Sequence, residues 1–180
     1  KLDPFKQKGL IGELLFLEYL SEKIPIRDCI EAWKGSDKYA KDFLISSLGF
    51  EIKSKSPGVE TVKISSETQL HVGNLNQLFL IIYLVDKTPK SDPKGRNLSK
   101  IVDDLREIIS NKDINSLQEF NSKLQEASFF DHHDYSSVEQ FINELGNQGF
   151  ELIEVIDMGE NNTNKDGKSS RFRYILKKNG

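Results

Sequence analysis

The sequence has little cysteine, methionine or tryptophan, with one residue of each among 180. A single cysteine, Cys29, cannot form an internal disulfide, so the fold depends on its core and a reducing cytosol is expected. The longest apolar run, LFLIIYLV at 78–85, is too short to span a bilayer. No charged-then-apolar signal peptide opens the chain, so we expect a cytoplasmic location and no membrane partner.

Neither sign of charge dominates the chain, whose formal net charge is −3. This balance argues against a general nucleic-acid coat protein. The charge is uneven, however, because 1–66 holds 11 basic and 10 acidic residues, whereas 67–180 holds 14 and 18. Lysines crowd the region between 34 and 63, which is compatible with a site that holds both phosphate and metal. Lysines on a solvated face are an equally good explanation of the charge alone.

Apolar periodicity divides the first 130 residues into helices and strands. Spacings of three and four predict helices at 6–22, 98–109 and 117–127. Alternation and turn residues predict strands at 42–46, 50–55 and 61–65, and the apolar run at 78–85 predicts a strand buried on both faces. Ser66 and Gln69 form a capping-box pattern that predicts a short helix ending near Gly73. The fold class is therefore α/β (α+β).

The sequence changes character after SFFDHHDYS, which predicts a domain at 1–130 and a small extension at 136–180. Ser137 and Gln140 form the capping pattern of a helix that carries Val138, Phe141, Ile142 and Leu145. FELIEVID and RFRYILKK then predict a hairpin. The extension could lengthen the sheet, bind a partner or present basic residues to DNA (Arg171, Arg173, Lys177 and Lys178). An exposed positive strand is the simpler reading.

The hairpin DFLISSLGFEIKSK, at 42–55, carries the residues best suited to chemistry. Alternate side chains of a strand share a face, so Glu51 and Lys53 point the same way. Antiparallel pairing brings Asp42 near them, and two neighbouring carboxylates repel unless a cation lies between them. Mg²⁺ accepts one or two carboxylates together with phosphate oxygens, and the Ile52 carbonyl is a further possible ligand. A lysine beside such a site can orient water or neutralise phosphate charge, so the pattern fits phosphodiester hydrolysis.

An E-x-K triplet alone is weak in a chain with 29% charged residues. Exposed strands often carry Glu and Lys on one face. The pattern gains weight from its context, which is a preceding helix, an acid that opens the neighbouring strand, and a following strand, helix and buried strand.

This order resembles the αβββαβ core of the restriction-endonuclease-like PD-(D/E)XK nuclease superfamily, a mixed sheet flanked by helices. Four phrases are similar to a bacterial group of PD-(D/E)XK family members linked to restriction and phage defence, namely GLIGELLFLEYL, AWKGSDKYAKDF, FEIKSKS and VKISSETQL. The resemblance is strong over 9–85 and weak over 98–130, and members usually carry another region before this point. Lys41 stands where the superfamily label has proline.

The resemblance implies a Mg²⁺-dependent DNA endonuclease, in which Mn²⁺ can substitute. Asp42 and Glu51 would be metal ligands, Lys53 the catalytic lysine and Glu13 the acid that the first helix brings to the site. Lys34, Lys41 and Lys55 would hold the DNA backbone, and Ser66 and Gln69 a phosphate. The implied partners are DNA, a second copy of the chain in a homodimer, and proteins of a restriction or defence system. The alternative is a non-catalytic nucleic-acid-binding or assembly module that keeps the fold.

Several of these residues also have structural explanations. Glu13 could be an exposed helix position, and Gln69 only the capping partner of its helix. Trp33 could contact a DNA backbone, although a single tryptophan after a helix usually packs. His132 and His133 lie between aspartates, but adjacent side chains point apart, which disfavours metal binding.

Overall fold

The computed structural model describes residues 1–35, 41–64, 66–89, 91–135, 140–143, 150–161 and 169–177. The helices are α1 (Pro4–Ser21), α2 (Ile26–Ala32), α3 (Leu98–Lys112) and α4 (Leu117–Glu126). The strands are β1 (Phe43–Ile45), β2 (Leu48–Lys55), β3 (Gln77–Thr88), β4 (Gln140–Asn143), β5 (Phe150–Asn161) and β6 (Ser169–Lys177). Single 3₁₀ turns lie at Glu67–Gln69 and Ile114–Ser116. None of the helices in the described ranges is long and apolar enough to cross a membrane.

The helices predicted at 6–22, 98–109 and 117–127 are confirmed, because their apolar stripes are buried. α1 begins at Pro4, where the Asp3 side chain caps the helix by accepting the Lys6 N–H at 2.9 Å. The apolar residues of α1, α3 and α4 form one large core against the sheet. Sequence patterns missed α2, since seven residues are too few to show a period. Cys29, on α2, is a buried core residue.

The sheet is mixed, which confirms the fold class. β1 and β2 form an antiparallel hairpin with Phe43 opposite Phe50. β2 and β3 are parallel, with Glu51 opposite Leu80. The helical core covers one face of β2 and β3, and a second apolar cluster covers the other (Leu70, Leu78, Leu80 and Ile82, with Val62, Ile64 and Val72 packed against them).

The third strand predicted at 61–65 is wrong over the described residues 61–64, which form no ladder. β3 is the parallel neighbour of β2 and takes the ladder position. Val62 and Ile64 instead pack on the apolar face of the sheet. The alternation that predicted a strand therefore reflects a segment that covers the sheet. The short helix predicted after it is the single 3₁₀ turn Glu67–Gln69.

The helix predicted near the start of the extension is also wrong where the structure describes it. Gln140–Asn143 forms β4, which pairs antiparallel with the end of β3 so that Thr88 lies opposite Gln140. A short apolar pair such as Phe141 and Ile142 suits either structure, and pairing with β3 decides between them. Residues 136–139 and 144–149 of that prediction lie outside the described ranges.

The predicted hairpin of the extension is present as β5 and β6. β5 pairs antiparallel with β3, with Leu80 opposite Ile153, and β6 pairs antiparallel with β5. The extension thus lengthens the sheet, as one of the three alternatives predicts. The division into domains at 1–130 and 136–180 stays a prediction.

Candidate active site

Asp42 is fixed at the edge of the hairpin by two bonds to β2. Its backbone N–H donates to the Phe50 carbonyl at 3.1 Å, and its Oδ2 accepts the Ile52 N–H at 2.7 Å. The Asp42 carboxylate therefore accepts the Ile52 N–H, which the backbone carbonyl of a further β1 residue would otherwise accept. Because the N–H and C=O of one residue point to the same side of a strand, the Ile52 carbonyl faces this edge too.

Glu51 lies buried beside Asp42, with 1% of its surface exposed. Its Oε1 accepts a bond from Lys53 Nζ at 2.7 Å, which joins the two side chains predicted to share a face. Burial, and then the negative charge of Asp42, raise the pKa of Glu51 to about 7, although the ammonium of Lys53 opposes the shift. Burial likewise raises the pKa of Asp42.

Glu13 reaches this group from α1. Its Oε2 accepts a bond from the indole N–H of Trp33 at 2.7 Å. Burial, followed by the charge of Asp42, raises the pKa of Glu13 to about 8, and Glu51 adds to the shift. Glu13 is therefore part of the acidic group and not a solvated helix position.

The segment Trp33 to Gly35 joins Glu13 to Asp42. The backbone N–H groups of Lys34 and Gly35 both donate to the Asp42 carbonyl, at 2.7 and 3.0 Å. Gly35 lies so close to Glu13 that a Cβ on it would be 2.3 Å from the carboxylate. Glu13, in the phrase GLIGELLFLEYL, and Gly35, in the phrase AWKGSDKYAKDF, are distant in the sequence and therefore meet only in the fold.

The donor chemistry of this group fits a divalent cation. The charge of Asp42 raises the pKa of both Glu13 and Glu51, and the ammonium group of Lys53 opposes both shifts. Carboxylate oxygens are the ligands that Mg²⁺ prefers, and one or two suffice when water completes the shell. Within the described ranges, no cluster of three or more His, Cys, Asp or Glu side chains is spaced to hold one ion. Asp42 and Glu51 are the two carboxylates that could serve as ligands of such an ion.

Comparison with known families agrees with this geometry. A family model with the description "Putative PD-(D/E)XK family member" (DUF4420) matches residues 1–148. The chain belongs to this family. PD-(D/E)XK proteins are usually nucleases and typically use divalent metals, so membership indicates a nuclease-type function. No curated protein and no solved structure matched the chain.

The lysines predicted to hold DNA lie in different environments around this PD-(D/E)XK site. Lys41 is buried, and its Nζ donates to the backbone carbonyls of Thr68 and Gln69 at 2.5 and 2.7 Å. It thus ties the 3₁₀ turn to the hairpin. Lys34 and Lys55 are partly exposed at the ends of the site. Their contacts with DNA stay predictions.

Ser66 and Gln69 flank the turn that Lys41 holds. Ser66 is exposed, and its hydroxyl lies 2.7 Å from the hydroxyl of Thr68. Gln69 is partly buried, and its backbone N–H donates to the Ser66 carbonyl at 3.2 Å. The predicted phosphate contact is sterically open at Ser66 and stays a prediction.

Two residues near the candidate site have contacts that the sequence patterns did not reveal. Trp33 packs as the alternative reading expected, but its bond to Glu13 shows only in the fold. Lys123, on α4, is buried and donates to the Trp33 carbonyl at 2.6 Å. Nothing near Lys123 in the sequence marks it. Asp131, beside the two histidines, is instead held by Arg106 at 2.7 and 2.9 Å.

Proposed function

We propose that this PD-(D/E)XK family member is a divalent-metal-dependent endonuclease that hydrolyses phosphodiester bonds in DNA. Mg²⁺ is the proposed ion, and Mn²⁺ a substitute. The observation that carries the proposal is the group formed on one hairpin by the buried Glu51 and the partly buried Asp42 and Lys53, with the partly buried Glu13 against it. Burying several acids together is costly, which favours a site that uses them over a decorated surface.

Asp42 and Glu51 would hold the cation, with the Ile52 carbonyl as a further ligand and Glu13 as a supporting acid. When bound, the ion supplies positive charge for the phosphate under attack and makes water a better nucleophile. Glu51 holds the ammonium group of Lys53 in place, and the Lys53 side chain is 18% exposed. From there Lys53 can orient the attacking water and neutralise charge on the phosphate.

The DNA contacts are proposed around the same hairpin. Lys34 and Lys55 would meet the phosphate backbone, since partly exposed ammonium groups bind phosphates without reading sequence. Ser66 and Gln69 would hold a phosphate at the 3₁₀ turn. Lys41 would act by keeping that turn over the site, because backbone carbonyls accept from its ammonium.

Cleavage of double-stranded DNA also implies protein partners. One active site cuts one strand at a time, so cleavage of both strands favours a two-fold homodimer. We propose a role in restriction or phage defence in the cytoplasm, with partner proteins of that system.

The test is cleavage of plasmid DNA by the full chain with Mg²⁺ or Mn²⁺. Glu51→Gln and Lys53→Met keep side-chain volume and remove the charges, and each is expected to lower the rate by roughly 10²–10³-fold. Glu60→Gln and Lys63→Met are matched controls at exposed positions of the following segment and should cut like wild type. Equal cleavage by all five proteins would contradict the proposal. DNA binding without metal and without cleavage would support the non-catalytic alternative.

A further inference from the structure

Trp33 occupies a central position between α1, α4 and the hairpin. Its ring is fully buried, and its indole N–H donates to Glu13 Oε2 at 2.7 Å. A buried indole usually finds an acceptor, but an acid is an expensive one to bury. A residue without any polar contact would have been enough to fill this space in the core. The bond therefore suggests that Trp33 acts on Glu13.

The position of Trp33 is fixed by contacts other than this bond. Lys123 Nζ donates to the Trp33 carbonyl at 2.6 Å, and the indole ring packs near Phe120 with ring centroids 6.2 Å apart. The backbone of Trp33 also forms a bridge with Phe43 at the start of β1. A tryptophan anchored on α4 and the hairpin has little freedom to follow Glu13. The position of Trp33 therefore determines the position of the Glu13 carboxylate, and not the reverse.

Gly35 leaves the space that the carboxylate of Glu13 occupies. A Cβ at this position would lie 2.3 Å from Glu13 Oε2 and 3.3 Å from the indole nitrogen of Trp33. No real Cβ approaches an oxygen so closely, so any larger residue would push the carboxylate away. Gly9, on the same helix as Glu13, has no heavy atom within 4 Å of such a Cβ.

We propose that Trp33, held by Lys123 and spaced by Gly35, is a positioning residue that fixes the carboxylate of Glu13 at the site shared by Asp42 and Glu51. This inference rests on the proposed function, because it assigns a supporting role within the same site. A glutamate side chain is long and would otherwise sample several rotamers. The indole bond engages one oxygen and orients the carboxylate before a cation arrives. Groups that orient the acids of a metal site typically change metal affinity by about 10–100-fold when removed.

The experiment measures Mg²⁺ affinity by calorimetry for the wild-type chain and four variants. Trp33→Phe removes the N–H and keeps an aromatic ring, and Lys123→Met removes the ammonium that holds the Trp33 carbonyl. Gly35→Ala removes no functional group, and its added Cβ crowds the Glu13 carboxylate most and the indole nitrogen of Trp33 less. These three are expected to weaken Mg²⁺ binding by roughly 10–100-fold, and Gly9→Ala should bind like wild type.

A spectroscopic readout separates positioning from packing. Trp33 is the single tryptophan, so the chain gives one indole N–H signal in a nitrogen–proton correlation spectrum. We expect this signal to move when Mg²⁺ is added to wild type, and to lie at a different frequency in Gly35→Ala before any metal is present. A purely structural tryptophan would leave the signal unchanged by Mg²⁺.

The outcomes distinguish this inference from the proposed function. Wild-type Mg²⁺ affinity in Trp33→Phe and Gly35→Ala, with the indole signal unmoved by metal, would overturn the positioning role even if DNA is cut. Weakened Mg²⁺ affinity in both variants, from a wild type that cuts no DNA, would support the positioning role and remove the nuclease proposal. Thermal melting of each variant shows whether it is folded. If Trp33→Phe does not fold, the Mg²⁺ affinity of Gly35→Ala decides the question.

Discussion

Glu13 carries a proton at a pH where an ordinary glutamate is ionised. Its pKa lies at about 8, against an ordinary value of 4.5, because it is buried and because the charge of Asp42 lies nearby. Glu51, with a pKa of about 7, behaves in the same way. Without metal, the site therefore keeps protons near neutral pH. With metal, those protons must leave, so cation binding is expected to strengthen as the pH rises.

The raised pKa of Glu13 predicts how the metal-free chain responds to pH. Between the unfolded value near 4.5 and the folded value near 8, the folded state binds more protons than the unfolded one. Stability of the metal-free chain should therefore fall as the pH rises through this window. Glu13→Gln removes this pH-dependent contribution to stability, and the glutamine can still accept the hydrogen bond from Trp33. Its Tm at about pH 8 should exceed that of wild type by roughly 3–6 °C, as a gain of 1–2 kcal/mol gives in a chain of this size.

Thermal melting in chelator between about pH 5 and pH 8 checks this prediction. Glu60→Gln is the control, because Glu60 is exposed and its substitution should leave the Tm unchanged. Glu18→Gln is less suitable because Glu18 pairs with Arg96. A Tm difference between wild type and Glu13→Gln that does not change with pH would contradict the assigned pKa.

The element that sets the site geometry is α1, which packs closely across β2. Gly12 makes this approach possible, since a Cβ there would lie 2.2 Å from Ser54 Oγ and 3.3 Å from Ile52 Cγ2. Glu13 is the next residue in the chain. The distance between α1 and β2 therefore determines how far the Glu13 carboxylate reaches towards the hairpin. The glycine thus serves the helix packing and the site together.

Gly12→Ala is expected to destabilise the chain. The added methyl group must push α1 away from β2 or displace the buried Ser54 side chain, at a cost of about 1–3 kcal/mol. Gly9→Ala is the matched control, because it lies on the same helix with open space around it and should gain up to about 1 kcal/mol of helix propensity. Chemical denaturation of both variants gives the comparison. Equal stability of the two would show that α1 adjusts freely.

At the scale of the whole molecule, β3 is the strand on which the sheet depends. It lies between β2 and β5 in the strand order, and its end also pairs with β4. The residues beyond 135 therefore cover an edge of an apolar strand. An uncovered edge of this kind is a template for pairing with other chains.

Truncation after Tyr135 is expected to expose the β3 edge and cause association. The shortened chain should elute in size-exclusion chromatography as higher oligomers or aggregate, whereas the full chain should not show this additional association. The measurement also tests the division at 1–130 and 136–180. A shortened chain with the size distribution and Tm of the full chain would mean that the first part folds alone, as two independent domains require.

The elements predicted well are those whose signal is local. The apolar stripe of α1 and the apolar run of β3 each lie within one short stretch, so periodicity is enough to find them. The shared face of Glu51 and Lys53 follows from strand alternation alone. The predicted third strand and the predicted C-terminal helix failed because both depended on which segment pairs with β2 or β3, a choice between distant parts of the chain.

The sequence by itself determined the helices α1, α3 and α4 and the strands β2 and β3, and it placed an acid and an E-x-K triplet on one hairpin, because neighbours in the chain fix those relations. Only the tertiary structure decided that Glu13 joins the triplet, that Trp33 donates to it across 20 residues and that Lys123 holds Trp33 across 90. Such contacts arise when packed helices bring separate parts of the chain together. Burial at the same place then raises the pKa of the acids, which no local pattern reveals.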